Sequence, residues 1–81
     1  MSNERLQEVL ENLKFLKNDD VSKRFKEKTE QIIEILNSNQ ELVIEKALLE
    51  LEEVHSLEIS SYHRTQVWDI ISMLETMKAN V

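Results

Sequence analysis

Cysteine is absent from this 81-residue chain, which excludes disulfide bonds, thiolate metal sites and thiol nucleophiles. Glycine and proline are absent as well, although the tight turns of a small sheet protein normally depend on one or the other. Aromatic residues make up only 5% of the chain, and no apolar run approaches the ~20 residues of a membrane span. No apolar segment of the signal-peptide type is visible near the N-terminus. These absences predict long helices joined by few turns in a cytoplasmic protein.

Positive charge is scarce in the second half of the chain. Residues 1–40 contain seven Lys or Arg and eight Asp or Glu, whereas residues 41–81 contain three and eight, for a net charge of −6. Broad binding to nucleic acids or anionic membranes needs a cationic surface and is therefore disfavoured. The composition leaves room for a local basic patch in the first half.

The chain contains two related halves, offset by 38 residues. The segment from Val21 to Lys26 corresponds to the segment from Ile59 to Arg64, and the flanking apolar residues follow the same offset. Such a repeat indicates that neither copy buries its apolar face alone, so the two copies share one core. The corresponding pairs are Leu6 and Ile44, Leu10 and Leu48, Leu13 and Leu51, Leu16 and Val54, Ile32 and Ile70, Ile33 and Ile71, Ile35 and Met73, and Leu36 and Leu74.

Apolar residues recur every three or four positions in four stretches, which predicts four helices. Because short turns place successive helices antiparallel, we expect an all-α, up-and-down four-helix bundle made of two repeated hairpins. The bundle forms a single domain over residues 1–81, with hairpin one at about 3–37 and hairpin two at about 38–78. Hairpins that swap or interleave between two chains are the alternative.

Side-chain oxygens near three of the predicted helix starts are expected to accept hydrogen bonds from the free backbone N–H groups there. The candidates are Asp19 or Asp20 for the second helix, a capping box from Ser38 to Glu41 for the third, and Ser60 or Ser61 for the fourth.

Several apolar residues lie outside a single inward-facing stripe. At ~100° per residue, the apolar arc of the fourth helix reaches from Met73 to Trp68 and covers roughly 220°, twice what a surface helix needs. Phe15 points away from the stripe of the first helix, and Leu42 and Leu49 lie opposite the stripe of the third. Trp68 and Met73 therefore predict a self-association face, with a homodimer favoured. The alternative is that these are scattered exposed residues of the ordinary kind.

Glu52 and His55 have the Glu-x-x-His spacing that di-iron four-helix bundles use twice, together with two further Glu residues. The second copy is missing, because Ser60 stands three residues before His63, and we expect no metal site. Histidine is a candidate general base, but no Ser-His-Asp order, Gly-rich phosphate loop or Walker-type motif accompanies His55 and His63. We therefore expect no catalytic residue, no cofactor and no enzyme activity.

In an up-and-down bundle the second and fourth helices begin at the same pole. Cations gather there beside two helix N-termini, which themselves carry partial positive charge. This basic pole predicts contact with a small anion or with RNA phosphates, and the alternative is a set of local ion pairs. Its residues are Lys23, Arg24, Lys26, Tyr62, His63 and Arg64.

The segment Arg64-Thr65-Gln66-Val67-Trp68, followed by Ile71-Ser72-Met73-Leu74-Glu75, resembles the C-terminal signature of a small archaeal family, the uncharacterised protein family 0147. Asn18-Asp19-Asp20-Val21 resembles the first turn of that family more loosely. The family usually has proline where this chain has Ser22 and Ser60, and we expect side-chain capping in its place. The resemblance implies a four-helix bundle from an archaeal cytoplasm, and it implies no activity and no site residues.

Two functions follow from the sequence. The first is a small non-enzymatic helical interaction module that self-associates through its fourth helix. The alternative is an RNA- or ribosome-associated adaptor that uses the basic pole.

Overall fold

The structure is a computed structural model that describes residues 3–38 and 42–79. It contains four helices and, over these residues, no strand. The helices are α1 (Asn3–Lys17), α2 (Lys23–Asn37), α3 (Val43–His55) and α4 (Ser61–Ala79). The prediction of an all-α fold with four helices is confirmed.

The four helices form a closed ring of neighbours. In the described residues α1 packs against α2, α2 against α3, α3 against α4 and α4 against α1, whereas the backbones of diagonal helices stay further apart. The end of α4 meets the start of α3 through Lys78 and Glu45, and the start of α4 meets the end of α3 through Trp68 and His55. These two helices are therefore antiparallel, as expected in an up-and-down bundle.

All four helices contribute to one apolar core. One residue from each of the four predicted apolar stripes shows this, since all four are buried: Leu13, Ile32, Leu51 and Ile71. The one polar side chain buried with them among the described residues is Thr29, and its hydroxyl donates to the carbonyl oxygen of residue 25 at 2.8 Å. Because that hydroxyl is hydrogen-bonded, its burial carries little penalty. The apolar core residues are Val9, Leu10, Leu13, Leu16, Phe25, Ile32, Leu36, Ala47, Leu51, Val54, Val67, Ile70, Ile71, Leu74 and Met77.

The 38-residue offset extends to the helix boundaries. Helices α1 and α3 end 38 residues apart, and α2 and α4 begin 38 residues apart. Ser22 Oγ accepts from Phe25 N at 3.2 Å, and Ser60 Oγ accepts from His63 N at the same distance. The predicted cap at Ser60 and the side-chain capping expected at Ser22 in place of proline are confirmed, whereas the prediction of Asp19 or Asp20 for α2 is wrong. Ser22 stands directly before α2, and the Asp19 carboxylate is engaged elsewhere.

Ser38 closes α2 instead of opening α3. Its hydroxyl donates to Ile35 O at 2.7 Å, and its backbone N–H also points to that oxygen, at 3.1 Å. Helix α3 starts only at Val43, after Leu42 in the left-handed conformation with φ 61°. The predicted capping box is therefore wrong, because its serine is five residues ahead of the helix. Its acid, Glu41, lies outside the described residues.

None of the helices, as far as the structure describes them, combines the length and the apolar character required to cross a membrane.

Candidate functional site

An open groove runs along the outer surface between α3 and α4. Its volume is about 630 Å³. Leu48 and Ile71 connect the groove to the apolar core, while Leu49 on α3 and Trp68 on α4 remain 62% and 52% exposed. Large apolar side chains exposed along one open groove are typical of a docking surface. The groove is lined by Glu45, Leu48, Leu49, Glu52, His55, Trp68, Ile71, Glu75 and Lys78.

The last residue of α3, His55, packs against Trp68. The His55 ring meets the indole edge-on, with the ring centroids 4.8 Å apart at 71°. Arg64 Nη1 donates to His55 O at 3.1 Å, so a guanidinium one turn before Trp68 joins α4 to the final carbonyl groups of α3. A cation suits that position because a helix C-terminus carries partial negative charge. His55 Nε2 is buried and has no hydrogen-bond partner among the described residues.

The rim of the groove is acidic. Among the residues that line the groove, Glu45, Glu52 and Glu75 are acidic and Lys78 is the one lysine or arginine, and Lys78 Nζ lies 3.8 Å from Glu45 Oε1. Three carboxylates against one ammonium give the rim a formal charge of −2. The Glu45–Lys78 pair is half exposed on both sides and contributes little to stability.

The equivalent surface of hairpin one is charged instead of apolar. Subtracting 38 from Leu49 and Trp68 leads to Glu11 and Glu30. The position equivalent to His55 is Lys17, and Lys17 Nζ lies 3.8 Å from Glu30 Oε1. A salt bridge thus occupies the place where hairpin two has its aromatic contact. The same pair of helices forms with either chemistry, so the fold does not require an apolar residue at the positions of Leu49 and Trp68.

The two residues of the predicted self-association face lie on opposite sides of α4. Met73 is half-buried on the α1 side, where Asn12 Nδ2 lies 3.9 Å from its sulfur atom. Trp68 lies on the α3 side, against His55. Five residues at ~100° each separate them by roughly 140° around the helix. The other large, exposed apolar residue that lines the groove with Trp68 is Leu49 of α3, also a surplus residue in the sequence pattern.

At the basic pole, a histidine is engaged within the chain. His63 Nε2 lies 2.9 Å from Asp19 Oδ2, and His63 Nδ1 lies 2.9 Å from Ser60 Oγ. The hydrogen bond from His63, followed by the one from the backbone N–H of Asp20, lowers the pKa of the Asp19 carboxyl. The His63 ring also packs against Phe25, with centroids 5.9 Å apart. His63 therefore joins the turn between α1 and α2 to the start of α4.

The other cations of the pole divide into two groups. Arg64 is engaged with the last turn of α3. Lys23, Arg24 and Lys26 are exposed on the first turn of α2, and none forms an ion pair within the part of the chain that the structure describes. Tyr62, 54% exposed, lies edge-on to the ring of residue 63. Four of the six residues of the basic pole, the three cations of α2 and Tyr62, are therefore exposed, and RNA contact stays a prediction.

Glu52 and His55 both line the α3–α4 groove, as their spacing on one helix requires. Over residues 3–38 and 42–79, no group of three or more His, Asp or Glu side chains is arranged to hold a metal ion.

The chain was compared with protein-family models, with curated proteins and with solved structures, and none of the three comparisons found a match. The resemblance to the uncharacterised protein family 0147 therefore stays a prediction, and the site is interpreted from its own geometry.

Proposed function

We propose that this protein is an interaction module that binds another protein through the groove between α3 and α4. The observation that carries the proposal is the pair Trp68 and Leu49, exposed on facing helices in hairpin two and replaced by glutamates in hairpin one. Because the helices of hairpin one pack together with glutamates at these positions, folding does not explain why Leu49 and Trp68 are apolar, and binding does. Tryptophan is among the residues that contribute most to binding energy at protein interfaces.

Burial of Trp68 by a partner contributes considerably to the free energy of binding. A tryptophan buries ~150–250 Å² when fully covered, and this one is 52% exposed. Removing the remaining ~100 Å² from water is worth about 2.5 kcal/mol at ~25 cal/mol per Å². The contact with His55 already orders the indole, so less side-chain entropy is lost on binding.

A second copy of the chain is the partner that sequence analysis favours. The structure supports this less than it supports a different protein, because Met73 points to α1 and the groove rim is acidic. Sedimentation of the purified chain measures self-association directly. A monomer at high micromolar concentration counts strongly against the homodimer.

Site-specific photo-cross-linking tests the interaction module. A photoreactive phenylalanine analogue is placed at Leu49, and a matched control carries it at Glu11, the equivalent position of hairpin one. In cells that make the protein naturally, we expect one discrete adduct from position 49, identified by mass spectrometry, and none from position 11. Trp68→Ala in the same chain should suppress the adduct. No adduct at 49, or the same adduct at both positions, contradicts the proposal.

The second candidate function is RNA contact at the basic pole. The observation that favours it is the exposure of Lys23, Arg24 and Lys26 on a single turn, without ion pairs among the described residues. A triple change of these residues to glutamate should abolish the electrophoretic mobility shift of RNA at low salt. As a control, RNA binding by the unchanged protein should weaken as the salt concentration rises. No detectable RNA binding at low salt ends this candidate.

A further inference from the structure

We infer that the partner in the α3–α4 groove is an amphipathic helix that carries lysine or arginine on both sides of an apolar stripe. The inference rests on the proposed function and goes further, because it names the chemistry of the partner. It follows from three properties of the groove, namely its shape, its charge and the way in which α3 is packed on its opposite side.

The shape of the groove fits a helix. Its walls are two antiparallel helices, and it runs from the contact between His55 and Trp68 to the contact between Glu45 and Lys78. Ten residues of helix separate these contacts, which corresponds to ~15 Å or about three turns. Ridges of a third helix fit the furrow between two packed helices. Apolar anchors at i, i+3 or i+4, and i+7 would then cover Trp68 and Leu49.

The charge of the groove selects the partner. Three carboxylates surround the apolar strip, and hairpin two as a whole has eight acidic residues against three Lys or Arg. A second copy would bring two such rims together and place six carboxylates around one interface, which like-charge repulsion disfavours. A helix with flanking cations meets the opposite potential. Charge complementarity thus favours a basic helix over a second copy.

The opposite side of α3 shows the same kind of contact within the chain. There α2 packs against α3 and presents Lys28, whose Nζ lies 2.7 Å from Glu53 Oε1 and 3.1 Å from Glu50 Oε1. Helix α3 therefore already packs against one helix, α2, which has an apolar inner face and a cation at its edge. Glu45 and Glu52 repeat this acidic edge on the groove side.

The single tryptophan of the chain reports occupancy of the groove. Trp68 emission shifts to shorter wavelength when a ligand excludes water from the indole, and no label is needed. The probes are two stapled peptides of roughly four helical turns, free of tryptophan and tyrosine. Both have the same leucine stripe, one with lysine flanks and the other with glutamate flanks. We expect the lysine peptide to shift the emission and to bind at least tenfold more tightly than the glutamate peptide.

Matched variants separate the groove from the overall charge. Glu52→Lys with Glu75→Lys should reduce or reverse the preference for the lysine peptide by at least tenfold. Glu8→Lys with Glu11→Lys changes the net charge equally on the exposed surface of α1 and should leave the preference unchanged. Circular dichroism and the urea midpoint verify that both double variants are folded.

Three results overturn the inference. The first is no emission shift with either peptide, and the second is equal binding of both peptides. The third is an emission shift that follows protein concentration and not peptide concentration, together with a dimer in sedimentation. If cross-linking at Leu49 succeeds while the lysine peptide is not preferred, the interaction module stands and the basic helix fails. If cross-linking and both peptides fail, the proposed function fails as well.

Discussion

The two hairpins share an interior and differ on the outside. Leu13 and Leu51 occupy equivalent positions and are each 1% exposed, and the caps Ser22 and Ser60 form equivalent hydrogen bonds. At the groove between the helices of each hairpin, one has a lysine–glutamate pair and the other has histidine against Trp68. Buried positions are restricted by close packing, whereas exposed positions are free to differ. The difference between the hairpins therefore marks the surface that the fold leaves available for binding.

The largest expected effect breaks the shared interior. Leu13→Ala and Leu51→Ala each remove a fully buried side chain, and each should lower the free energy of unfolding by about 2–5 kcal/mol. Urea denaturation at constant pH measures both. A loss below about 1 kcal/mol at one site, with a normal loss at the other, would mean that the hairpins do not contribute equally to the core.

The next effect separates a structural tryptophan from a binding one. A buried tryptophan costs about 3–5 kcal/mol when it is changed to alanine, but Trp68 is half exposed. We therefore expect Trp68→Ala to lower the free energy of unfolding by about 2 kcal/mol. It should also abolish binding of the lysine peptide, which is measured through a fluorescent label on the peptide.

The matched change in hairpin one is Glu30→Ala. It breaks only an exposed pair with Lys17 and should change stability by less than about 0.5 kcal/mol. Peptide binding should be unaffected. A loss of 3 kcal/mol or more for Trp68→Ala would instead assign the indole to the core.

The helix caps give a smaller effect. Ser22→Ala and Ser60→Ala each leave a backbone N–H at a helix start without its partner and should cost about 1 kcal/mol. The loss at Ser60 should be the larger, because its hydroxyl also lies 2.9 Å from His63 Nδ1. Thermal unfolding monitored by circular dichroism ranks the two variants, and equal losses would show that the contact with His63 adds nothing.

The smallest effect concerns pH. The Asp19 carboxyl has a lowered pKa because His63 and the backbone of Asp20 hydrogen-bond to it. A carboxyl with a lowered folded-state pKa stabilises the protein above its ordinary pKa, and this contribution is lost as the pH falls through the lowered value. The equivalent residue of hairpin two is Leu57, which does not titrate.

The comparison is made by thermal unfolding of the unchanged protein and Asp19→Asn between neutral and acidic pH. We expect the unchanged protein to be slightly more stable near neutral pH, and the difference to shrink as the pH falls into the acidic range. A difference that stays constant with pH would show that the contact contributes through something other than the carboxylate charge.

The fold was largely predictable because burial repeats with the helical period. Four apolar stripes and their offset led to four helices and one core, as found. The caps were less predictable, since several serine and aspartate residues stand near each helix start. Ser22 caps α2 from the position directly before the helix, whereas the Asp19 carboxylate contacts His63, 44 residues away. Contacts over such distances leave no local pattern in a sequence.

The candidate site was only half predictable. Trp68 and Leu49 both stand out in the sequence as surplus apolar residues, but the pattern along α4 groups Trp68 with Met73 and does not relate it to Leu49 on α3. A signal was available: the 38-residue offset that relates the core residues also shows Trp68 in the place of Glu30 and Leu49 in the place of Glu11. Applied to exposed positions, the repeat indicates which hairpin has the divergent surface.

The amino-acid sequence by itself determined the helical class, the four apolar stripes and the duplicated core, because the period of 3.6 residues and the scarcity of turn-forming residues depend only on local order along the chain. Only the tertiary structure decided that Trp68 meets His55 and lines one groove with Leu49, that Met73 turns to α1, and that His63 binds Asp19. The reason is that a groove is made by two helices at once, and which side of each helix faces its neighbour depends on how all four pack around the core.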